Sequence, residues 1–142
     1  MHQIFCYGTL QVPDVMRAVT GRVYEGEKAR LPGYAIYRVK NTEYPGVVPL
    51  GNSETDGIVY SGVSEKALKV LDAFEGEFYT RRLVEVHLQD GKTTEAWVYV
   101  IREEHGDVLS DEPWHLEQFL NEDFDSFMKG YVHGRKEVYA PK

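Results

Sequence analysis

The chain has 142 residues, 42% hydrophobic and 27% charged, which suits one globular domain large enough to bury its own core. Its formal net charge of -7 repels a phosphate backbone and argues against nucleic acid as the partner, and Arg81-Arg82 is too small a basic cluster to reverse that. No apolar stretch nears the roughly 18 residues that span a membrane, and Met1-His2-Gln3-Ile4-Phe5 lacks a basic flank before an apolar run, so neither a membrane segment nor a signal peptide is expected.

Cys6 is the one cysteine, so no intramolecular disulfide forms, and the chain fits a reducing, cytoplasmic compartment. His2, His87, His105, His115 and His133 include no pair at metal-ligand spacing, and no metal site is expected.

Short runs rich in β-branched and aromatic residues recur between turn residues, a mainly β pattern. Ile4-Phe5-Cys6-Tyr7 predicts the first strand, ended by Gly8. A short helix follows, with Pro13 in its first turn, Val15, Met16 and Val19 on one face, and Gly21 as its stop. Strands are expected near residues 22–29, 34–39, 47–50 and 57–62. Leu83 to Leu88 and Thr94 to Ile101 flank Asp90-Gly91, a strong hairpin turn because these residues tolerate positive φ. Val84, Val86 and Leu88 share one face of the first arm, while both faces of the second are apolar from Ala96 onward. Such a strand is covered on both sides or lies in a closed barrel. Beyond residue 102, Asp111-Glu112-Pro113 reads as a helix start. Leu116, Phe119, Leu120, Phe124, Phe127 and Tyr131 then recur at helical spacing up to Gly130, a stripe that reads as core packing.

Ser64 to about Glu75 predicts another short helix, capped by Ser64. Ala67, Leu68, Val70, Leu71 and Phe74 form its apolar face, with Lys66, Lys69 and Asp72 outside it. Glu75 follows Leu71 by four residues and Leu68 by seven, so it points inward with the leucines. A lone carboxylate taken out of water is costly and its pKa rises, which fits a general base near neutral pH. Two other readings stand beside this one. The helix could end at Phe74, with Gly76 swinging Glu75 into water, or Glu75 could pair with Arg81 or Arg82. The rival acids Asp72 and Glu77 read as solvated. Upstream, Tyr7-Gly8-Thr9-Leu10 closes a strand just before a helix, where Gly8 allows close backbone approach and free N–H groups would suit a carboxylate. The same pattern also reads as a plain turn, and Tyr44-Pro45-Gly46 as a plain loop.

Phe5-Cys6-Tyr7-Gly8-Thr9-Leu10 resembles the opening motif of the gamma-glutamylcyclotransferase-like family. Leu71-Asp72-Ala73-Phe74-Glu75-Gly76, followed by Tyr79-Thr80-Arg81, resembles its second motif, and Tyr44-Pro45 falls between them in matching order. The likeness covers roughly residues 3 to 101. The tail, with Trp114 and Phe119, is similar to that of the plant avirulence-induced branch, and gamma-glutamylamine cyclotransferases share the core motifs. The resemblance implies an α+β fold: one domain over residues 1–142, a small mixed β-barrel (about 3–101) with short flanking helices and a C-terminal helix (about 111–130). It implies Glu75 as acid/base, Tyr7, Gly8, Thr9 and Leu10 as the substrate-binding loop, and Tyr44, Pro45, Tyr79 and Arg81 as further pocket candidates. The expected partner is a small γ-glutamyl compound, with no cofactor, no nucleic acid and no membrane. Family members often carry a basic residue directly after the loop, where this chain has Gln11.

The reaction so implied is an intramolecular aminolysis: the α-amine attacks the γ-carbonyl, forming 5-oxoproline and releasing an amine or amino acid. A binding protein that uses the same cavity without turnover is the alternative. A thiol enzyme built on Cys6 competes poorly, because a cysteine in an apolar strand reads as inert core. So does a glycosidase on Glu75 and Glu77, which nothing places across a sugar.

Overall fold

A computed structural model of the chain describes residues 1–132. Five strands carry the fold: β1 (His2–Cys6), β2 (Gly26–Arg38), β3 (Pro45–Val63), β4 (Tyr79–Leu88) and β5 (Thr93–Ile101). They close in the order β1-β3-β2-β4-β5. The pairs β1–β3, β2–β3, β2–β4 and β4–β5 are antiparallel. The seam between β1 and β5 is parallel, at Ile4 opposite Trp97. The architecture is therefore an α+β fold built on a small mixed barrel.

Strand alternation sorts the core into two sets. Phe5, Tyr7, Leu31, Val47, Val59, Val86, Ala96, Val98 and Val100 fill the barrel. Their neighbours Ile4, Cys6, Tyr60, Tyr99 and Ile101 point the other way, beneath the helices. β5 thus has both faces buried from Ala96 onward, as its continuous apolar run requires.

Helix α1 (Pro13–Thr20) starts on Pro13 and ends at Gly21, burying Val15, Met16 and Val19. Helix α2 (Glu65–Glu75) is capped by Ser64, whose hydroxyl oxygen accepts from the Ala67 N–H at 3.1 Å. Its buried Leu68 and Leu71 each contribute about 1.5–3 kcal/mol of burial. Asp90-Gly91 turns β4 into β5 as expected, with the Gly91 N–H on the Leu88 carbonyl at 3.1 Å.

Three elements depart from the sequence reading. The strands expected at 22–29 and 34–39 are one strand, β2, which starts only at Gly26 and absorbs Pro32-Gly33 through a register shift between Pro32 and Tyr34. The segments at 47–50 and 57–62 likewise belong to one long strand, β3. In the tail, Asp111-Glu112-Pro113 does not start a helix. The Glu112 carbonyl accepts from the Arg38 N–H at 2.9 Å, so tertiary pairing holds this segment extended. Helix begins at Leu116 and runs as alternating α and π turns, Leu116–Gln118, Phe119–Asp123, Phe124–Phe127 and Met128–Val132. Gly130 lies inside the last of these rather than ending it. The Tyr131 side chain and His133 lie outside what is described. Among the described residues no helix is long and apolar enough to cross a membrane.

Candidate functional site

One cavity of about 290 Å³ opens between the end of β1, the end of α2 and the tail helix. Tyr7, Gly8, Thr9, Leu10, Tyr44, Pro45, Glu75 and Tyr79 line it, together with Phe5, Cys6, Phe74, Gly76, Glu77, Phe78, Tyr99 and Phe127. Its volume sits near the lower end of the roughly 300–1,000 Å³ typical of ligand pockets, which selects for a small ligand.

Glu75 is the last residue of α2. Gly76 breaks the helix with φ +86 and ψ -168, a backbone state open in practice only to glycine. The break comes after Glu75, so its side chain keeps the helix phase set by Leu68 and Leu71. It does not swing into bulk solvent, nor does it pair with Arg81 or Arg82. Among the described residues no hydrogen bond or ion pair engages its carboxyl. Burial, and then the Asp72 carboxylate one helical turn back, push its pKa from an ordinary 4.5 to about 8.

Three phenols around Glu75 are already committed. The Tyr7 hydroxyl donates to the Tyr99 carbonyl at 2.7 Å, and the Tyr79 hydroxyl to the Pro45 carbonyl at 2.7 Å. The Tyr99 hydroxyl donates to Asp72 Oδ1 at 2.7 Å. Burial raises all three phenols and the Cys6 thiol, and proximity to Glu75 adds to each rise. Cys6 is thus a protonated, buried thiol, and a thiolate nucleophile is disfavoured.

Among the described residues, the β1–α1 turn carries main-chain donors that no turn, loop or cap carbonyl engages. Gln11 and Val12 donate their N–H groups to the carbonyls of Gly8 and Thr9 at 3.1 Å each, forming a single 3-10 turn. Such a turn leaves its first N–H groups, here those of Gly8, Thr9 and Leu10, without an internal acceptor. Gly8 is needed for space: a Cβ there would lie 2.7 Å from Pro45 Cγ and 2.9 Å from Pro45 Cδ. Gln11, in the place of a basic residue, donates its side-chain amide to the Tyr7 carbonyl at 2.8 Å and so braces the turn.

Two candidates sit differently from their sequence reading. Arg81 lies off the cavity: its Nε and Nη2 donate to Asp72 Oδ1 and Oδ2 at 2.9 and 3.3 Å, and its guanidinium stacks 4.3 Å from the Trp97 ring centroid. Asp72, read as solvated, is held from two strands by Arg81 and Tyr99, because the polar side of α2 faces the outer surface of β4 and β5. Glu77 is exposed at the cavity's rim. The sequence reading does not name Phe5, Cys6, Phe74, Gly76, Glu77, Phe78, Tyr99 or Phe127 as lining residues. Strand alternation along β5 puts Tyr99 on the helix side, opposite Val98 and Val100, whereas the position of Phe127 at the cavity depends on the irregular tail helix.

Among the described residues no cluster of three or more His, Cys, Asp or Glu is grouped to hold a metal ion. The arrangement offers one desolvated, unpaired carboxyl and a short row of main-chain donors around a small, largely aromatic space. It can grip an anionic group at one end and exchange a proton at the other.

Comparison with known proteins agrees with this architecture. The family model described as gamma-glutamyl cyclotransferase, AIG2-like matches residues 4–116. AIG2-like protein C of Arabidopsis thaliana is 33% identical over 139 residues, covering 95% of this chain and 80% of the relative. A solution structure of an Arabidopsis thaliana protein superposes with a TM-score of 0.70 at 29% identity, covering 99% of this chain and 95% of that chain. The crystal structure of an AIG2-like protein from Mus musculus superposes with a TM-score of 0.55 at 25% identity, covering 81% and 86%. The match begins in β1 and runs through every strand of the barrel, past Glu75 and both turns that wall the cavity, and on that basis the chain belongs to the gamma-glutamyl cyclotransferase, AIG2-like family.

Proposed function

We propose that the protein cyclises a small γ-glutamyl compound to 5-oxoproline and releases an amine or amino acid, with Glu75 as general acid/base. The observation that carries this reading is the joint lining of one cavity by the unpaired Glu75 carboxyl and the Gly8 to Leu10 main chain. The nucleophile and the electrophile belong to one molecule, so the protein's task is to fold that molecule into a near-attack shape and to carry protons from the attacking nitrogen to the leaving one. The substrate's α-carboxylate would accept from the N–H groups of the turn, since the hydroxyls of Tyr7, Tyr79 and Tyr99 already donate hydrogen bonds to the Tyr99 carbonyl, the Pro45 carbonyl and Asp72.

The α-ammonium is no nucleophile until it loses a proton. Its positive charge stabilises ionised Glu75 as it binds, and the carboxylate then takes the proton. The amine nitrogen bonds to the γ-carbonyl carbon, and the carbon–nitrogen bond to the leaving group breaks. Glu75 returns that proton to the departing nitrogen. The second proton, shed by the attacking nitrogen as it becomes the lactam N–H, passes through the same carboxylate to the freed amine, which leaves as an ammonium, so protons and charge balance without any redox step. A base whose pKa lies near 8 suits both halves of this exchange.

The test is 5-oxoproline release across a panel of γ-glutamyl donors. Glu75→Gln keeps the shape of the side chain and removes its basicity. It should lower turnover by about 10²–10⁴-fold, the usual span for a general acid/base, with the thermal unfolding transition intact. Unchanged turnover in that variant removes Glu75 from the chemistry. A parent protein that binds γ-glutamyl compounds but releases no product is instead a binding protein.

A further inference from the structure

The tail helix does more than cover the barrel. Its Phe127 is 2% exposed and lines the cavity, yet it lies beyond the residues matched by the family model, which end at 116. Its ring meets those of Tyr44, Phe74 and Phe119 edge-on, with centroids 6.5, 6.3 and 5.4 Å away. Tyr44 and Phe74 are themselves cavity residues. This aromatic group forms an apolar wall beside the polar pair of Glu75 and the Gly8 to Leu10 turn.

Three tethers place that wall. Trp114 Nε1 donates to the Glu43 carbonyl at 2.9 Å, and Ser126 Oγ donates to Glu43 Oε1 at 3.2 Å. Arg38 Nη2 donates to Asp123 Oδ2 at 3.1 Å. The tail is thus tied to Glu43, next to Tyr44 and Pro45, and to Arg38 at the end of β2. The π-helical turn Phe119–Asp123 shifts the phase of everything after it by about 100° per added residue. That offset helps decide which residue of Phe124–Phe127 meets the cavity.

We propose that Phe127 is a specificity-determining residue whose ring bounds the space left for the departing amine and excludes bulky leaving groups. The proposal rests on the γ-glutamyl reading above for the identity of the substrate. The polar pair holds the glutamyl end, where the reacting groups are. What remains of a cavity of about 290 Å³ is bordered by Phe127, Tyr44 and Phe74, and a rigid ring there sets an upper size.

The experiment compares γ-glutamylmethylamide with γ-glutamyl-p-nitroanilide as small and bulky donors. kcat/KM for 5-oxoproline release is measured for the parent, Phe127→Ala and Phe127→Leu. Binding of the same two donors is measured by calorimetry on the three proteins carrying Glu75→Gln. Opening the wall should raise the bulky-to-small ratio about tenfold or more in Phe127→Ala, in line with pocket discrimination by a few carbon atoms. Phe127→Leu should give a smaller rise, and the binding ratio should move in the same direction. A ratio that stays fixed while both donors fall together makes Phe127 merely structural and overturns the proposal. If Phe127→Ala loses its cooperative melt, the Leu variant decides. Size-dependent binding without turnover by the parent would retain Phe127's role and refute the cyclotransferase reading. No binding of either donor would refute both.

Discussion

Glu75→Gln should make the empty protein more stable as the pH rises. Below about pH 4.5 the acid is protonated in both folded and unfolded chains, and its titration costs nothing. Between 4.5 and about 8 the unfolded chain releases the proton while the folded chain keeps it, so folding loses ground with every step up in pH. Above about 8 the folded chain ionises as well and the loss stays constant. At ~1.4 kcal/mol per pH unit, the upper limit is about 3 kcal/mol at pH 7 and about 5 kcal/mol on the plateau. The carboxyl is only partly buried by accessible surface and borders a cavity that water can enter. That screening should reduce the effect to about half. Gln cannot ionise, so the variant escapes this loss; groups away from Glu75 cancel in the difference, and the phenols and the Cys6 thiol coupled to it are held protonated through this range mainly by burial. Urea unfolding midpoints measured from about pH 5 to about pH 9 read this difference directly. The variant's advantage should be small at the acid end, grow with pH and level off past about 8. A difference that does not vary with pH would mean that the carboxyl is not desolvated in the folded state, and the basis for its role as a base would be gone.

Removing the guanidinium by Arg81→Met leaves Asp72 less well neutralised beside Glu75. The acid limb of the kcat/KM profile, expected near 8 in the parent, should move upward, and stability should fall by only ~1 kcal/mol because Asp72 is 40% exposed. A limb that stays put would disconnect Arg81 from the site. Gly8→Ala drives a Cβ within 2.7 Å of Pro45, whose carbonyl is held by Tyr79. The turn must therefore shift, and kcat/KM in the same 5-oxoproline assay should fall by about 10²-fold, the usual cost of a displacement near 1 Å. Unaltered kinetics would show that the turn's main chain does not hold the substrate.

Much of this molecule was legible in its sequence because local rules and tertiary needs agreed. Pro13 and Gly21 bound α1, Ser64 caps α2, and Asp90-Gly91 turns the hairpin, each through chemistry confined to a few residues. The phase of Glu75 survived because Gly76 breaks the helix one residue later. The misread segments are those where distant partners override local signals. Pro32-Gly33 looks like a turn, yet the pairing of Pro32 with Glu54 and of Tyr34 with Pro49 carries β2 across it. Asp111-Glu112-Pro113 has the composition of a helix start, but Arg38 claims its backbone. Asp72 has the helix phase of a solvated residue, and only the fold brings Arg81 and Tyr99 to it.

The parallel seam between Ile4 and Trp97 also governs when the molecule can work. Those two residues meet across nearly the whole barrel sequence, so a chain growing from its N-terminus holds β1 without its last neighbour until β5 has been made. Ring closure over such a span is entropically expensive and favours late, all-or-none assembly. The Gly8 to Leu10 turn hangs directly from β1. Fragments that stop short of residue 97 lack the closing strand, and with it Tyr99 of the cavity wall, and should be inert.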